Sequence, residues 1–200
     1  MPRLENSLLV LLAAGRSCRF GGGESKLTQE WEGRPLGLHA AGALGALPFR
    51  RRLAVVGDPA LDYAGLGFDA VRNEQRDEGM ASSVRLGVRH AREVGAEALV
   101  VALADMPCVT AAHVRRLFDA SSDEHSMVAS SDGNAAKPPA LFGRAHFDAL
   151  LVLTGDSGGR ELLRNATLVP AGPAELVDID TPAELDALRA ATRAAGRRSD

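Results

Sequence analysis

The chain has 200 residues, of which 46% are hydrophobic, 24% charged and 4% aromatic, and its formal net charge is -3. A chain of this length buries a core without disulfide or metal staples, which excludes a disulfide-rich secreted module, and its hydrophobic content excludes a disordered chain. The small negative charge, without a dense face of Lys and Arg, argues against a dedicated nucleic-acid surface.

The N-terminal apolar stretch and the two cysteines indicate the compartment. The stretch from Leu8 to Ala14 is too short to span a bilayer, and no small-residue cleavage pattern follows it. Cys18 and Cys108 lack C-x-x-C spacing, so they suggest neither a disulfide framework nor a redox pair. We therefore expect a cytoplasmic protein.

Short apolar runs alternate with segments of helical period in the first half of the chain. Five apolar residues in succession, Leu8 to Leu12, are typical of a strand buried on both faces. The pattern then predicts a helix, two strands and a second helix over 36–47, 53–56, 68–71 and 79–94. Ser82 or Ser83 is the predicted N-cap of the second helix, and Gly95 is its stop.

The same alternation continues to the C-terminus. A second fully apolar run, Ala98 to Leu103, leads to Asp105, and Thr110 is predicted to cap the helix that follows. The remaining predicted elements are a weak strand, a strand, a helix, an apolar segment, a strand and a helix over 127–129, 140–142, 147–153, 161–163, 176–180 and 182–195. Repeated βα units predict a three-layer α/β sandwich with a mainly parallel sheet, as one domain over 1–195 with a flexible tail at 196–200.

The loop after the first strand is a candidate phosphate-binding segment. In open α/β sheets, ligands bind outside the carboxyl ends of the strands. This loop is rich in glycine and contains Arg16, Arg19 and Lys26, so it offers backbone N–H groups and positive charge to phosphate oxygens. It matches neither the Walker P-loop nor the G-x-G-x-x-G pattern.

Carboxylates follow two other apolar runs. Asp105 is placed to hold Mg²⁺, which prefers oxygen ligands and bridges carboxylates to substrate phosphates. Asp178 and Asp180 alternate in direction, so we expect one of them to point into the same crevice, and the pattern leaves open which. The cations Arg19 and Lys26 are expected on one side of this crevice and the carboxylates on the other. Together these groups indicate metal-assisted phosphoryl or nucleotidyl transfer.

Two segments imitate the signatures of trypsin-like proteases. They are 109–113, which contains His113, and 155–159. We reject this interpretation, because those signatures belong to a pair of β-barrels while His113 lies in a segment of helical period. Ser157 and Gly158 more simply begin a helix.

Seven segments carry a resemblance to a known family. They are 12–22, 26–27, 33–36, 79–83, 104–107, 155–160 and 178–182. Together they resemble the MobA-like nucleotidyltransferases and, within that group, are most similar to the molybdenum cofactor cytidylyltransferases. The resemblance implies a Rossmann-like sandwich of the nucleotide-diphospho-sugar transferase type, with a mixed, mostly parallel sheet that has one antiparallel strand. It also implies transfer of a nucleoside monophosphate from an NTP to a phosphorylated acceptor, with release of pyrophosphate.

The resemblance also implies site residues, by position in the motifs. The implied nucleotide-binding residues are Leu12, Ala13, Ala14, Gly15, Arg19, Lys26, Asn73, Gly79, Ser82 and Ser83. The implied catalytic residues are Arg19, Lys26 and Asp105, and the implied Mg²⁺ ligands are Asp105 and Asp180. The Ala-Ala-Gly form of the first turn is typical of the cytidylyl branch, which favours CTP over GTP.

The resemblance therefore implies transfer of CMP from CTP to the phosphate of molybdopterin, with Mg²⁺ as cofactor. The implied partners are CTP or GTP, a phosphorylated acceptor such as molybdopterin and a molybdoenzyme that receives the product, with no nucleic acid and no membrane; we expect a monomer or weak dimer. Three alternatives remain. The first is another NTP transferase, either a GTP-using molybdopterin guanylyltransferase or an enzyme with a different phosphorylated acceptor such as a sugar phosphate. The second is a non-catalytic molybdenum cofactor chaperone, and the third is a nicotinamide-dependent oxidoreductase. The last is disfavoured because the dinucleotide fingerprint fails at Lys26.

Overall fold

A mixed sheet of seven strands, with helices on both faces, forms the body of the molecule in the computed structural model. The structure describes residues 1–15, 20, 25–57, 61–156, 159, 161–172 and 174–196. Of the tail predicted at 196–200, Gly196 ends the last helix and the remaining residues lie outside the described part of the chain.

The elements follow the predicted alternation of strands and helices. The strands are β1 (Leu8–Ala13), β2 (Glu30–Trp31), β3 (Arg34–Pro35), β4 (Arg51–Val56), β5 (Asp69–Arg72), β6 (Ala98–Leu103), β7 (Met127–Ser131), β8 (Ala136–Gly143) and β9 (Thr167–Pro170). The helices are α1 (Gly37–Gly45), α2 (Met80–Glu93), α3 (Ala111–Asp119), α4 (Phe147–Leu151) and α5 (Pro182–Gly196). Within the described residues, no helix has both the length and the apolar composition needed to cross a membrane.

The strand order in the large sheet is β5-β4-β1-β6-β8-β7-β9, and β2 pairs with β3 in a separate ribbon. Strand β8 runs antiparallel to both of its neighbours, β6 and β7, whereas the other pairs in the sheet are parallel. This confirms the expected mixed, mostly parallel sheet with one antiparallel strand.

The central strand β1 explains the layers. It lies between β4 and β6, and its first five residues are apolar and buried. Because successive side chains point to opposite faces, Leu9 and Leu11 pack on the side of α1 and α3, while Leu8 and Val10 pack on the side of α2 and α4. A fully apolar strand is therefore what a central position under two helical layers requires.

Helix α2 approaches β1 closely because Gly87 has no side chain. A Cβ at this position would lie 3.0 Å from Cγ2 of Val10. The helix stops near Gly95, which has the positive φ of 62° that favours glycine, as predicted. The predicted cap is wrong: Gly79 precedes the first helical residue, and Ser82 and Ser83 lie inside the first turn.

The strand predicted over 176–180 is absent, and the sheet edge is β9 instead. Residues 176–180 pack as an irregular segment past the end of β6, where the N–H of Ile179 donates to the carbonyl of Asp105 at 3.0 Å. Sequence reasoning missed β9 because its buried Val169 is flanked by exposed neighbours and the run is short. The apolar residues at 176 and 179 are buried without a strand, which is why their pattern misled.

The helix predicted over 147–153 is α4, which ends at Leu151, and the segment predicted at 161–163 is a short 3₁₀ helix, Leu162–Asn165. Ser157 and Gly158, predicted to begin that helix, lie outside the described residues. The predicted cap of α3 is confirmed, since the Thr110 hydroxyl accepts the N–H of His113 at 3.1 Å.

His113 of α3 is a buried structural residue. The Ser130 hydroxyl donates its one hydrogen to the carbonyl of Pro139 at 2.6 Å. Nε2 of His113, 2.6 Å from the same hydroxyl oxygen, must therefore be the donor in that second hydrogen bond. Nδ1 then accepts from Arg116 at 2.7 Å, which fixes a neutral ring with its proton on Nε2. Burial lowers the pKa of His113 below its ordinary value of 6.5, and the nearby Glu175 only partly offsets this.

This burial predicts a pH-dependent stability. Below about pH 6.5 the unfolded chain binds a proton at His113 that the folded protein excludes, so the free energy of unfolding should fall on acidification, by at most about 1.4 kcal/mol per pH unit. His113→Leu removes this dependence, so its urea unfolding curves should differ less than those of the wild type between about pH 7 and about pH 5.5. Equal pH dependence in the two proteins would contradict the neutral, buried histidine.

Candidate active site

A cleft of about 670 Å³ opens at the carboxyl ends of β1 and β6. These strands are parallel neighbours and Leu12 pairs with Leu103, so the residues that follow them meet at one edge of the sheet. The N–H of Ala104 donates to the carbonyl of Leu12 at 3.0 Å, which ties the two strand ends together. The sequence-predicted residues that line the cleft are Leu12, Ala13, Ala14, Gly15, Lys26, Gly79, Ser83, Asp105 and Asp180.

Lys26 lies between the two predicted metal ligands. Its Nζ is 2.7 Å from Oδ2 of Asp105 and 2.7 Å from Oδ1 of Asp180, and about 10% of its side chain is exposed. The expectation that the cations and the carboxylates occupy opposite sides of the crevice is therefore wrong for Lys26. The reason is local: a 3₁₀ turn that begins at Lys26, capped by Ser25 and anchored by the buried Leu27, directs the lysine toward the carboxylates.

The charges in this group depend on one another. Burial opposes the charge on Lys26, but Asp105 and Asp180 outweigh it and raise the pKa of the ammonium. Burial raises the pKa of Asp105, Lys26 counters it, and the negative charges of Asp178 and Asp180 add to the increase. Two carboxylates thus contact one ammonium and a third acts on Asp105 through its charge, so the group has an excess of negative charge that favours the arrival of a cation.

The donor set fits a hard divalent cation. Oδ1 of Asp105 is buried and has no hydrogen-bond partner among the described residues, while Asp180 lines the cleft beside it. The described part of the chain contains no group of three or more His, Cys, Asp or Glu side chains able to enclose a metal ion. Two carboxylates are what Mg²⁺ commonly uses when substrate phosphates and water complete its shell. Asp178 is exposed and acts on Asp105 through its charge.

The turn before α2 forms another wall of the cleft. Gly79 has a φ of 89°, and the N–H of Met80 donates to Oδ1 of Asp156 at 3.3 Å. The N–H of Ala81 donates to the carbonyl of Gly155 at 3.0 Å. The loop after α4 thus satisfies the first N–H groups of the helix, which a side-chain cap would otherwise do.

Asn73 and Ser82 brace this turn from behind. The Asn73 amide donates to the hydroxyls of Ser82 at 2.8 Å and Ser83 at 2.9 Å, and its oxygen accepts from the N–H of Gln75 at 2.9 Å. All of its polar atoms are therefore engaged within the protein. The structure places Asn73 behind the turn at Gly79, with Ser83 as the hydroxyl that reaches the cleft.

Arg19 lies outside the described residues, as do residues 16–18 and 21–24 of the same loop. Eight further lining residues were missed by sequence reasoning. They are Leu27, Arg76, Asp77, Glu78, Met80, Leu103, Gly155 and Asp156. Four of them, Leu27, Met80, Gly155 and Asp156, belong to segments that carried the family resemblance, so motif position was the available signal for these.

Gly79→Ala should damage both the fold and the cleft. A Cβ at this position would lie 2.5 Å from Oδ1 of Asp156 and 2.6 Å from the carbonyl oxygen of Gly155, and the positive φ adds strain of about 1–3 kcal/mol. We expect weaker CTP binding by calorimetry as well as a lower midpoint of urea unfolding. Gly95→Ala is the matched control, because its φ of 62° is also positive but nothing lies within 4 Å of its Cβ. Equal CTP affinities in the two variants would contradict the role of the turn.

Comparison with known proteins places these features in context. A family model described as the MobA-like NTP transferase domain matches residues 9–171. The purine catabolism protein PucB of Bacillus subtilis (strain 168) is 32% identical over 201 residues, which cover 91% of this chain and 95% of PucB. A molybdenum cofactor guanylyltransferase of Cereibacter sphaeroides is 38% identical over 111 residues, which cover 56% of each chain.

One solved structure bears on the metal. The crystal structure of Rv0371C from Mycobacterium tuberculosis H37Rv in complex with manganese superposes with a TM-score of 0.69. The two chains are 26% identical, and the superposition covers 92% of this chain and 98% of that one.

Proposed function

The chain belongs to the family of MobA-like NTP transferase domains, and on that premise we propose that it transfers CMP from CTP to the phosphate of molybdopterin. The observation that carries this proposal is the cluster of Lys26, Asp105 and Asp180 beside the turn at Ala14 and Gly15. An ammonium and two carboxylates at the mouth of a strand-to-loop turn suit a substrate rich in phosphate and its metal ion.

The reaction is an in-line displacement at the α-phosphorus of CTP. An oxygen of the acceptor phosphate forms the new bond, the bond between the α-phosphorus and the bridging oxygen breaks, and pyrophosphate leaves with the electron pair. The acceptor oxygen is already anionic, so no general base is required. The chain has to align two anions and stabilise the charge that develops on the leaving group.

Individual residues divide this task. Lys26 presents a buried ammonium to the phosphates, and Arg19 is proposed as a second cation on the same chain of phosphates. The turn at Ala14 and Gly15 brings backbone close to the nucleotide. Asp105 and Asp180 would hold Mg²⁺ or Mn²⁺, which supplies Lewis-acid neutralisation of the phosphate charge when bound. A molybdoenzyme would receive the finished cofactor.

Nucleotide choice rests on Ala14. Ala14 is buried and lines the cleft, whereas guanylyl-transferring relatives usually have glycine at the matching position. A two-ring base needs more room than cytosine. We therefore assign CTP, while the guanylyltransferase relative keeps GTP as the second candidate.

Loss of a proposed metal ligand should reduce turnover and leave the fold intact. Asp105→Asn and Asp180→Asn should each lower kcat/KM for pyrophosphate release from CTP, with Mg²⁺ and molybdopterin, on the order of 100-fold or more. Asp178→Asn should have a smaller effect because that side chain is exposed. Asp148→Asn, which breaks the exposed ion pair with Arg92, is the control and should match the wild type. Full turnover by Asp105→Asn would refute its assignment as a metal ligand. A wild type that binds nucleotide or cofactor without releasing pyrophosphate would favour the chaperone.

Ala14→Gly should change the nucleotide preference. With the methyl removed, the ratio of kcat/KM for CTP to that for GTP should fall about 10-fold or more. Ala13→Gly is the control, because it removes a methyl group from the preceding residue. It should change the ratio of kcat/KM for CTP to that for GTP less than Ala14→Gly does. An unchanged ratio in Ala14→Gly, or a wild type that uses GTP alone, would contradict the assignment of CTP.

A further inference from the structure

Asp180 reaches the cleft from a segment that has no regular secondary structure. Residues 171–172 and 174–181 lie between β9 and α5, and none of them is assigned to a strand. The N–H of Ile179 donates to the carbonyl of Asp105, and the side chain of Ile179 is buried against Leu36 and Leu185. The position of one proposed metal ligand relative to the other therefore depends on Lys26, which contacts both carboxylates, and on contacts between their two loops.

Glu175 makes the side-chain contacts that join these loops. Its Oε1 accepts from the hydroxyl of Thr110, in the loop that begins at Asp105. Its Oε2 accepts from the N–H of Gly172 at 2.8 Å and from Nη2 of Arg116 at 3.3 Å. About 19% of its side chain is exposed, so these bonds are made in a partly dehydrated setting.

The arrangement is symmetric in sequence about the two proposed ligands. Thr110 comes five residues after Asp105, and Glu175 comes five residues before Asp180. Thr110 is itself fixed, because its hydroxyl oxygen caps α3 through the N–H of His113. Glu175 thus joins an irregular segment to the N-cap of α3.

A carboxylate is required for this set of bonds. Three donors converge on it, and an ionised carboxylate has acceptor capacity on both oxygens while a glutamine amide accepts on one. Burial opposes its ionisation, but the bonds from Thr110, Gly172 and Arg116 lower the pKa of Glu175 below its ordinary value. The residue is a charged clamp at neutral pH.

We propose that Glu175 is a positioning residue that sets the separation of Asp105 and Asp180 by clamping the segment of one to the loop of the other. The inference rests on the proposed function, because it takes these carboxylates as the metal ligands. Residues that orient ligands from behind commonly change metal affinity by 10-fold to 100-fold when they are replaced.

The test is Mn²⁺ binding to the full chain without nucleotide, measured by electron paramagnetic resonance. Glu175→Gln should bind Mn²⁺ about 10-fold more weakly than the wild type. Glu97→Gln is the matched control: this partly buried glutamate also accepts two hydrogen bonds, from Asn6 at 2.9 Å and Arg3 at 3.3 Å, but it precedes β6 at the opposite end from Asp105. It should bind Mn²⁺ as the wild type does.

A second readout needs no metal. The amide of Ile179 should exchange its hydrogen faster in Glu175→Gln, because the clamp no longer supports its bond to Asp105. In turnover, the KM for the metal should rise while kcat at saturating metal stays near the wild-type value. A role in general stability alone would lower the unfolding midpoint without this separation of KM from kcat.

Thr110 provides an independent variant. Thr110→Val removes the hydroxyl donor and should weaken Mn²⁺ binding, whereas Thr110→Ser keeps the hydroxyl and should bind Mn²⁺ as the wild type does. In the double variant Thr110→Val with Glu175→Gln, the loss of binding free energy for Mn²⁺ should be smaller than the sum of the two single losses. If Glu175→Gln does not fold, the Val and Ser variants carry the test. Wild-type Mn²⁺ affinity in Glu175→Gln or in Thr110→Val, or fully additive losses, would overturn the proposal.

Failure of the proposed function gives a different result. If Mn²⁺ binding depends on Asp105 and Glu175 but CTP is not turned over, the transfer reaction is wrong and the clamp stands. If Asp105→Asn binds Mn²⁺ as tightly as the wild type, the metal site is elsewhere and the clamp falls with it.

Discussion

The ammonium of Lys26 between Asp105 and Asp180 is the interaction on which the organisation of the cleft depends. Two carboxylates held close together in a partly buried site repel each other, and each would take up a proton more readily without a cation between them. Lys26, at 2.7 Å from each, favours their charged forms. The buried and unpartnered Oδ1 of Asp105 leaves acceptor capacity for a second cation, which is what the proposed binding of a triphosphate with its metal ion requires.

The sheet provides this arrangement through simple topology. Strands β1 and β6 are parallel neighbours, so the glycine-containing turn of one and the carboxylate of the other emerge at a common edge. The third contributor, the segment of Asp180, is not part of the sheet and is held by side chains: Lys26 and Glu184 contact Asp180 itself, and Glu175 is the proposed clamp five residues earlier. The net charge of the chain, -3, does not reveal this local concentration of charged groups, in which a cation and several carboxylates share one cleft.

The pattern of apolar residues was sufficient to predict the layers and the edge of the sheet where the cleft lies. A fully apolar run such as Leu8 to Leu12 indicates a central strand that is covered by helices on both faces. The same pattern also identified Asp105. The strand predicted at 176–180 failed because buried apolar residues alone do not distinguish a strand from an irregular segment packed on a helix. The side of the crevice taken by Lys26 and the bracing role of Asn73 depend on contacts between residues far apart in sequence, which no local pattern encodes.

The identity of the bond that breaks is the most direct test of the central claim, that this cleft performs nucleotidyl transfer. CTP labelled at the α-phosphorus and CTP labelled at the γ-phosphorus can be incubated in parallel with molybdopterin and the products separated. In nucleotidyl transfer, the α label enters the acceptor product and the γ label appears in pyrophosphate. Transfer of the γ label to the acceptor, or its release as orthophosphate, would contradict it.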